Sequence, residues 1–452
     1  MIEVNKESVD IIKEAIANGK DQVLTNQIKD LHYADIAELF DKLNSEQVQY
    51  IFRLLDEETT ADVLLEVDED LRSKLLASLT SKEIAEQVIE NMNSDDAADL
   101  IADLPQQKME EVISQIENAE QANDIVDLLG YDEDTAGGLM GKELVKVNVN
   151  WSVAKCIREM RKQAEEIDNV YTVYVINDNN VLLGNLSLKK LLFSATSIRT
   201  LIKDIFDPND LIVVEPYQSS EEVAKVMEKY DLVVLPVVSS NQELLGRITI
   251  DDVVDVIKEE ADKDYQMASG LSENVEMRDG VVIMTRARLP WLLIGLVGGV
   301  LVSLVIGTYE HDIGLNPHLA FFIPLIAAMG GNVGVQSSAI VVQSIANKMR
   351  YDRLGQRLSK EFLVALINAS ICSILIFSYT FFFNNEPSLA YTVAISLFAV
   401  IVFAGLFGTI VPLVLHKYKI DPALATGPFI TTANDIIGLF IYFMVAKSMY
   451  GI

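Results

Sequence analysis

The sequence predicts a multidomain membrane protein: a cytosolic α-helical repeat domain, a duplicated α/β domain, an acidic connecting helix and a five-helix transmembrane domain. Three observations predict it. Residues 1–280 carry 59 Asp and Glu against 26 Lys and Arg, a net −33, whereas residues 281–452 carry 7 against 10, a net +3. Five apolar stretches follow Arg288, each long enough for a hydrocarbon core that takes about 20 helical residues. A segment beginning at residue 171 also repeats at a period of 62. A surface this negative repels nucleic acid and anionic lipid and attracts cations.

Residues 1–130 read as short amphipathic helices. IAELFDKL, ADVLLEVD, IAEQVIEN and AADLIADL begin at 36, 61, 84 and 97, so the first three recur about every 24 residues, as in stacked helix pairs of a small solenoid. MIEVNKESVDIIKEAIANGK has no apolar core of the signal-peptide kind, so this acidic part is expected in the cytoplasm. Cys156 and Cys372 fall in different regions and make no disulfide framework, which fits a reducing compartment.

Residues 131–258 are β-rich and duplicated, with copies at about 131–200 and 201–258. YTVYVINDNNVLLGNLSLKKLL at 171 aligns with VVLPVVSSNQELLGRITIDDVV at 233, setting Gly184 on Gly246. Each copy has a helix, then strand, turn, strand and helix, and two such units pack as a pseudo-dimer around a cleft. This pattern resembles the paired CBS domain, a regulatory module that often takes adenine nucleotides, which implies ATP as a ligand. Thr249 and Asp252 keep the spacing used there for ribose and phosphate; the first copy has Ser187 and Lys190 instead.

Residues 251–280 form the connecting segment, led by the helix DDVVDVIKEEADKDYQMASG. Asp252, Asp255, Glu259 and Asp262 share a face, with Glu260 and Asp264 angularly close, and like charges at these spacings weaken an isolated helix. A solvated face is one reading; the sharper one has divalent ions bridging this helix to other acidic surfaces.

Residues 281–452 hold the apolar stretches, at about 289–308, 318–346, 361–383, 389–415 and 423–446. Lys348, Arg350, Arg353, Arg357 and Lys360 in one loop, Lys417 and Lys419 in another, and Arg286 and Arg288 before the first span alternate with loops free of Lys and Arg. The positive-inside rule then puts the amino terminus inside and the carboxyl terminus outside. In the second span, PLIAAMGGNVGVQSSAIVVQ, Pro324 and the paired Gly330 and Gly331 permit a broken helix, whose freed carbonyls must then face protein or a water-filled cavity. Asn332 and Gln336 share a face. In the fifth span Gly427, Thr431 and Asp435 recur at four-residue spacing, with Gly438 completing the stripe. Small-residue stripes also mark close helix packing. Asp435 is different: it lies too deep to snorkel, and no Lys or Arg sits at comparable depth, so it needs a cation or a proton.

This order of parts, with PLIAAMGGNVGVQ in the second span and DPALATGPFITTANDIIG in the fifth, resembles the MgtE family of magnesium channels and transporters over essentially the full length. The resemblance implies a homodimer in the cell membrane, a Mg2+ pathway between subunits with Asp435 as main pore residue, and a connecting helix that plugs the pore when intracellular Mg2+ is high. It implies Thr431, Gly427 and Asn332 beside the pore and Asp421 at its cytosolic mouth. It further implies Mg2+ sensing by Asp95, Asp99, Glu221, Asp231, Asp252, Asp255, Glu260 and Asp264. Ser219 and Lys263 stand where acids are expected, and Gly427 where the family often has Asn. Two other readings stay open: a proton-coupled divalent cation carrier in which Asp435 titrates, and a nucleotide-sensing membrane receptor. No nucleophile with a positioned base and no phosphate-binding glycine loop argues for an enzyme.

Overall fold

The computed structural model describes residues 6–29, 31–164, 167, 169–193, 197–208, 211–272, 275, 280–346, 354–383, 386–425 and 427–451. The chain divides into two compact units, residues 1–257 and 258–452. Lys348, Arg350 and Arg353, read as part of a cytosolic basic loop, lie outside the described residues.

The first unit opens with short helices from Lys6–Ala17 to Ala119–Leu128. Helices Tyr33–Phe40, Glu57–Glu66 and Ser81–Gln87 start 24 residues apart and pack in sequence, the first on the second and the second on the third. Each begins at a capping side chain: His32, Asp56 and Thr80 accept from backbone N–H groups of the first turn, and Thr80 with Glu83 closes a capping box. Their apolar faces, including Ile36, Leu39, Val63, Leu64 and Ile84, are fully buried in one core.

The duplicated domain follows as strands β1 (Val145–Asn148), β2 (Val173–Ile176), β3 (Leu182–Leu186), β4 (Val234–Val238) and β5 (Leu244–Thr249). β1 pairs parallel with β2 and β2 antiparallel with β3, while β4 pairs antiparallel with β5. The 62-residue period holds in the register. Val175 faces Gly184 as Val237 faces Gly246, and each ladder slips directly after that pair. Both glycines are needed for close approach: a Cβ on Gly184 would overlap the Asp207 carbonyl, and one on Gly246 would lie 2.8 Å from the Gly141 carbonyl. The copies join by a reciprocal exchange, Leu182 N to Gln242 O (2.9 Å) and Leu244 N to Asn180 O (3.0 Å). Asn180 and Gln242 both adopt left-handed φ, at 58° and 62°. The duplication read from sequence is therefore a pseudo-twofold in space.

The helix Ile250–Ala268 leads out of β5. Beyond it, among the described residues, lie five helices long and apolar enough to cross a membrane: Val281–Thr308, Pro317–Ile345, Leu358–Phe383, Pro387–Lys417 and Pro428–Tyr450. Length and composition alone assign them. The fourth is central, packing on the second, third and fifth, and half of its apolar window (50 %) is buried. The first and third are 11 % buried, so most of their apolar surface needs lipid or another chain to cover it.

Two expectations are corrected. The second span is not broken: after a 3-10 turn at Pro317–Phe322, Ile323–Ala346 is one uninterrupted α-helix. Pro324 sits in its first turn, where a missing N–H costs nothing, and the glycines serve packing. A Cβ on Gly330 would lie 3.2 Å from Val400 Cγ1, one on Gly331 2.9 Å from Thr431 Cγ2, and one on Gly334 would overlap the Asn434 amide. The connection after the first span is also not open loop, because Glu310–Leu315 is a short helix with Asp312 buried.

We expect Gly334→Ala to push the second and fifth helices apart. The new methyl would overlap Asn434 Nδ2 and lie 2.8 Å from Ile430 Cγ2, and overpacking of this kind costs about 1–3 kcal/mol. A thermal melt of the purified protein in detergent checks it, with a lowered midpoint as the expected result.

Candidate functional site

In the membrane unit the polar residues of the second and fifth helices meet. Asn332, Gln336 and Gly331 from one and Thr431 and Asp435 from the other line an open cavity of about 300 Å3, together with Ala327, Ala328 and Val335. Four-residue spacing explains the meeting, since 327/328, 331/332 and 335/336 fall on one helix face, as do 431 and 435. Gly331 gives Thr431 its clearance, since a Cβ there would lie 2.9 Å from Thr431 Cγ2, and it would border Asp435 Oδ1 at an ordinary contact distance of 3.7 Å. Asp435 is half-buried and has no hydrogen bond or ion pair among the described residues. Its neighbour Asn434 is 1 % exposed, and neither its amide nitrogen nor its oxygen finds a partner among the described residues. The Thr431 hydroxyl is held at 2.9 Å on the Gly427 carbonyl.

Gly427 and Asp421 lie outside that cavity wall. Gly427 starts the fifth helix with φ 60° and ψ −131°, a conformation open to glycine, and a Cβ there would be 2.8 Å from the Ala268 carbonyl. Exposed Asp421 accepts from Ala423 N at 2.8 Å and so starts the 3-10 turn Pro422–Ala425.

In the first unit a second group of carboxylates converges. Asp95, Asp96 and Asp99 stand on the helix Ser94–Ala102; Ser94 ties this helix to Glu143, whose Oε1 accepts from Ser94 N at 2.9 Å and Oε2 from Ser94 Oγ at 3.1 Å. A Cβ on Gly141 would fall 2.9 Å from Asp95 Oδ2 and 3.0 Å from Glu143 Oε2, which places both carboxylates against that glycine. Asp252 completes the group, its Oδ2 accepting from the Thr249 hydroxyl at 2.5 Å. Burial, then the charges of Asp96, Asp252 and Glu143, holds Asp95 well above the usual carboxylate range. Burial and then Asp252 and Glu143 push Asp96 up to about 7. Asp99 is also raised to about 7, by burial first and then by the charges of Glu133 and Asp96. Burial raises Asp252 against the pull of the Thr249 hydrogen bond.

Among the described residues no ion pair neutralises these acids, although the charge of Arg247 partly offsets the rise at Asp252. The nearby Lys142 is spent on Asp127 at 2.5 Å, and Arg247 donates through Nε to the Glu143 carbonyl. Oxygen-only donors of this kind suit a hard dication that keeps part of its water shell. Among the described residues no three His, Cys, Asp or Glu side chains form a ready-made cage.

The other acids named from sequence are placed apart. Glu221 pairs with Lys225 on the helix Ser220–Tyr230, and Asp231 ends that helix in left-handed conformation with φ 51°. Ser219, found where an acid was expected, caps the helix by accepting from Glu222 N at 3.3 Å. Asp255 is exposed, and Lys263 draws Glu260 into an ion pair of 3.0 Å; Asp264 is exposed one turn beyond Glu260. Asp96 and Glu143 escaped the sequence reading. The doublet in SDDAAD signalled the first; the second shows only once β1 brings its approach segment beside Ser94.

Between the two copies, the cleft lined by Tyr171, Tyr174, Val234 and Arg247 has about 10 Å3 of room. Arg247 Nη1 and the Tyr174 hydroxyl are buried there without partners among the described residues. Those donors suit an anion, and the space as it stands holds one water at most. Thr249 and Asp252 are bonded to each other. In the first copy Lys190 is paired with Asp207.

Comparison with known proteins agrees with this layout. A family model described as MgtE, divalent cation transporter, matches residues 323–445, the MgtE intracellular N domain matches 31–134, and CBS domains match 136–196 and 202–259. The magnesium transporter MgtE of Thermus thermophilus is 30 % identical over 440 residues, 96 % of this chain and 97 % of the relative. The chain belongs to the MgtE family. The MgtE of Bacillus subtilis is 33 % identical over 322 residues, 71 % of either chain. Among solved structures, the cytosolic domain of the Mg2+ channel MgtE in complex with ATP has a TM-score of 0.50 at 29 % identity, covering 55 % of this chain and 99 % of that one. An MgtE-family chain is a magnesium transporter with an intracellular N domain, a CBS pair and a multi-pass membrane domain.

Proposed function

We propose that this chain is a Mg2+ channel in which hydrated divalent cations pass beside Asp435 through a pore completed by a second subunit, and that its acidic cytosolic residues close that pore when intracellular Mg2+ is high. The carrying observation is Asp435: a carboxylate in a membrane helix, without a protein partner among the described residues, facing a cavity of about 300 Å3. A lone ionised group at that depth is costly, and a passing dication with its water relieves the cost. Asn332, Gln336 and Thr431 offer neutral oxygens around it, enough to orient ligated water without stripping it. The continuous second helix leaves side chains, not freed carbonyls, to line the path. Gly427 and Asp421 act at the entrance, where the fifth helix begins. The poorly covered first and third helices support a dimer in the bilayer. The basic connections support an amino terminus inside the cell.

Regulation rests on the carboxylates around Asp95. Their mutual repulsion resists the compact arrangement of the first unit, and Mg2+ bound there supplies the missing positive charge. Asp99, Glu221, Asp231, Asp255, Glu260 and Asp264 add weaker charges, and ions shift the gate only by preferring its closed form. Nucleotide forms no step of this reading, although the solved relative holds ATP. Mg2+ flux into liposomes holding the purified chain tests it: uptake that falls as luminal Mg2+ rises on the cytosolic side supports the proposal, and uptake driven by pH alone would overturn it.

The raised carboxylates also predict a pH dependence. With pKa values higher folded than unfolded, Asp95, Asp96, Asp99 and Asp252 contribute stability that is full below the unfolded values near 4 and is lost as pH rises, for Asp96 and Asp99 through about 7. Thermal unfolding in EDTA should therefore show a lower midpoint at pH 8 than at pH 5.5, with millimolar Mg2+ removing most of the difference.

A further inference from the structure

The first membrane helix, Val281–Thr308, carries four residues on one face at spacings of three, four and seven: Arg288, Trp291, Leu292 and Gly295. Together with Gly270 and Pro428 they line an open groove of about 550 Å3, within the roughly 300–1,000 Å3 range of small-molecule sites. Its wall is fixed, because Ser272 N donates to the Ala287 carbonyl at 2.9 Å and Gly270, at φ 83°, packs against Pro428. Arg288 is exposed and has no ion pair or hydrogen bond among the described residues.

We infer that this groove binds one anionic phospholipid. The order of side chains along the helix matches the order of chemistry along a lipid. Arg288 comes first, a guanidinium suited to bidentate contact with a phosphodiester. Trp291 follows at the level where amphipathic rings favour the headgroup boundary. Leu292, 66 % exposed, and Gly295 come next, where an acyl chain begins. From 288 to 295 the helix rises about 10 Å, the scale of a headgroup and its glycerol. Gly295 leaves the acyl slot open, since a Cβ there would meet nothing within 4 Å. The charge is complementary: residues 281–452, which hold the groove's helix, carry a net +3 in an otherwise acidic chain. The inference is independent of the gating proposal, because a lipid can occupy the groove whichever way the pore is controlled.

The test is native mass spectrometry of the full chain released from bilayers of equal phosphatidylglycerol and phosphatidylcholine, counting retained lipids. The wild type is expected to retain phosphatidylglycerol preferentially. Arg288→Gln should reduce that preference about fivefold, the factor for one basic side chain at an anionic surface. Gly295→Leu projects into the slot from a Cβ that meets no protein atom within 4 Å and should abolish retention at the site while the fold persists. Absence of preference in the wild type overturns the proposal. So does a preference that survives both variants, or one that Arg288→Gln reduces and Gly295→Leu leaves intact, which would place the charge on the general membrane surface.

Discussion

Asp435→Asn lowers Mg2+ uptake into liposomes by on the order of 100-fold or more while the protein still folds. The size follows from charge. At an effective dielectric of ~20 and ~4 Å, one unit charge on another contributes about 4 kcal/mol, and losing even about 3 kcal/mol of that lowers cation occupancy about 100-fold. Folding is spared because the carboxylate has no ion pair or hydrogen bond to lose among the described residues. Removing an unpaired charge from a bilayer relieves desolvation, so the variant should melt no lower than wild type in EDTA. Uptake within a few-fold of wild type would place the permeating ion elsewhere.

Neutralising Asp252 and Asp255 together leaves transport active at internal Mg2+ levels that silence the wild type. Asp252 belongs to the group around Asp95, Asp96 and Glu143, and Asp255 follows on the same helix. Two opposed effects operate: fewer negative charges reduce the repulsion that holds the gate open, and they also reduce the preference of Mg2+ for the closed form. The second dominates, because the closed form is reached through the ion's differential affinity, and Asp252 is already partly relieved by Thr249 at 2.5 Å. The internal Mg2+ that half-inhibits uptake should rise about tenfold or more. Normal inhibition, or closure even in chelator, contradicts the account.

Much of this architecture was legible because it rests on periodicities. The 62-residue repeat marked Gly184 and Gly246 as equivalents, and the structure places both in the same register position with the same ladder slip behind them. The depth of Asp435 followed from span length alone. What sequence could not supply was which glycines bend a helix and which admit a neighbour. Pro324 with Gly330 and Gly331 read as a break, yet Gly330, Gly331 and Gly334 give Val400, Thr431 and Asn434 their room in a continuous helix. Four-residue spacing put Gly427 on the face of Asp435, but a helix face says nothing of where the helix starts, and Gly427 is its cap. Glu143 was invisible for another reason: its partner Ser94 is 49 residues away, a separation no local pattern spans.

The central claim is that a hydrated dication moves past Asp435 without being exchanged for protons. The reversal potential of purified channels in a planar bilayer under a Mg2+ gradient tests it most directly. The account predicts a shift of about 30 mV per tenfold gradient, as for any doubly charged carrier of current, unchanged when pH is stepped on either side. A reversal potential that follows the proton gradient, or Mg2+ transport without current, would contradict it.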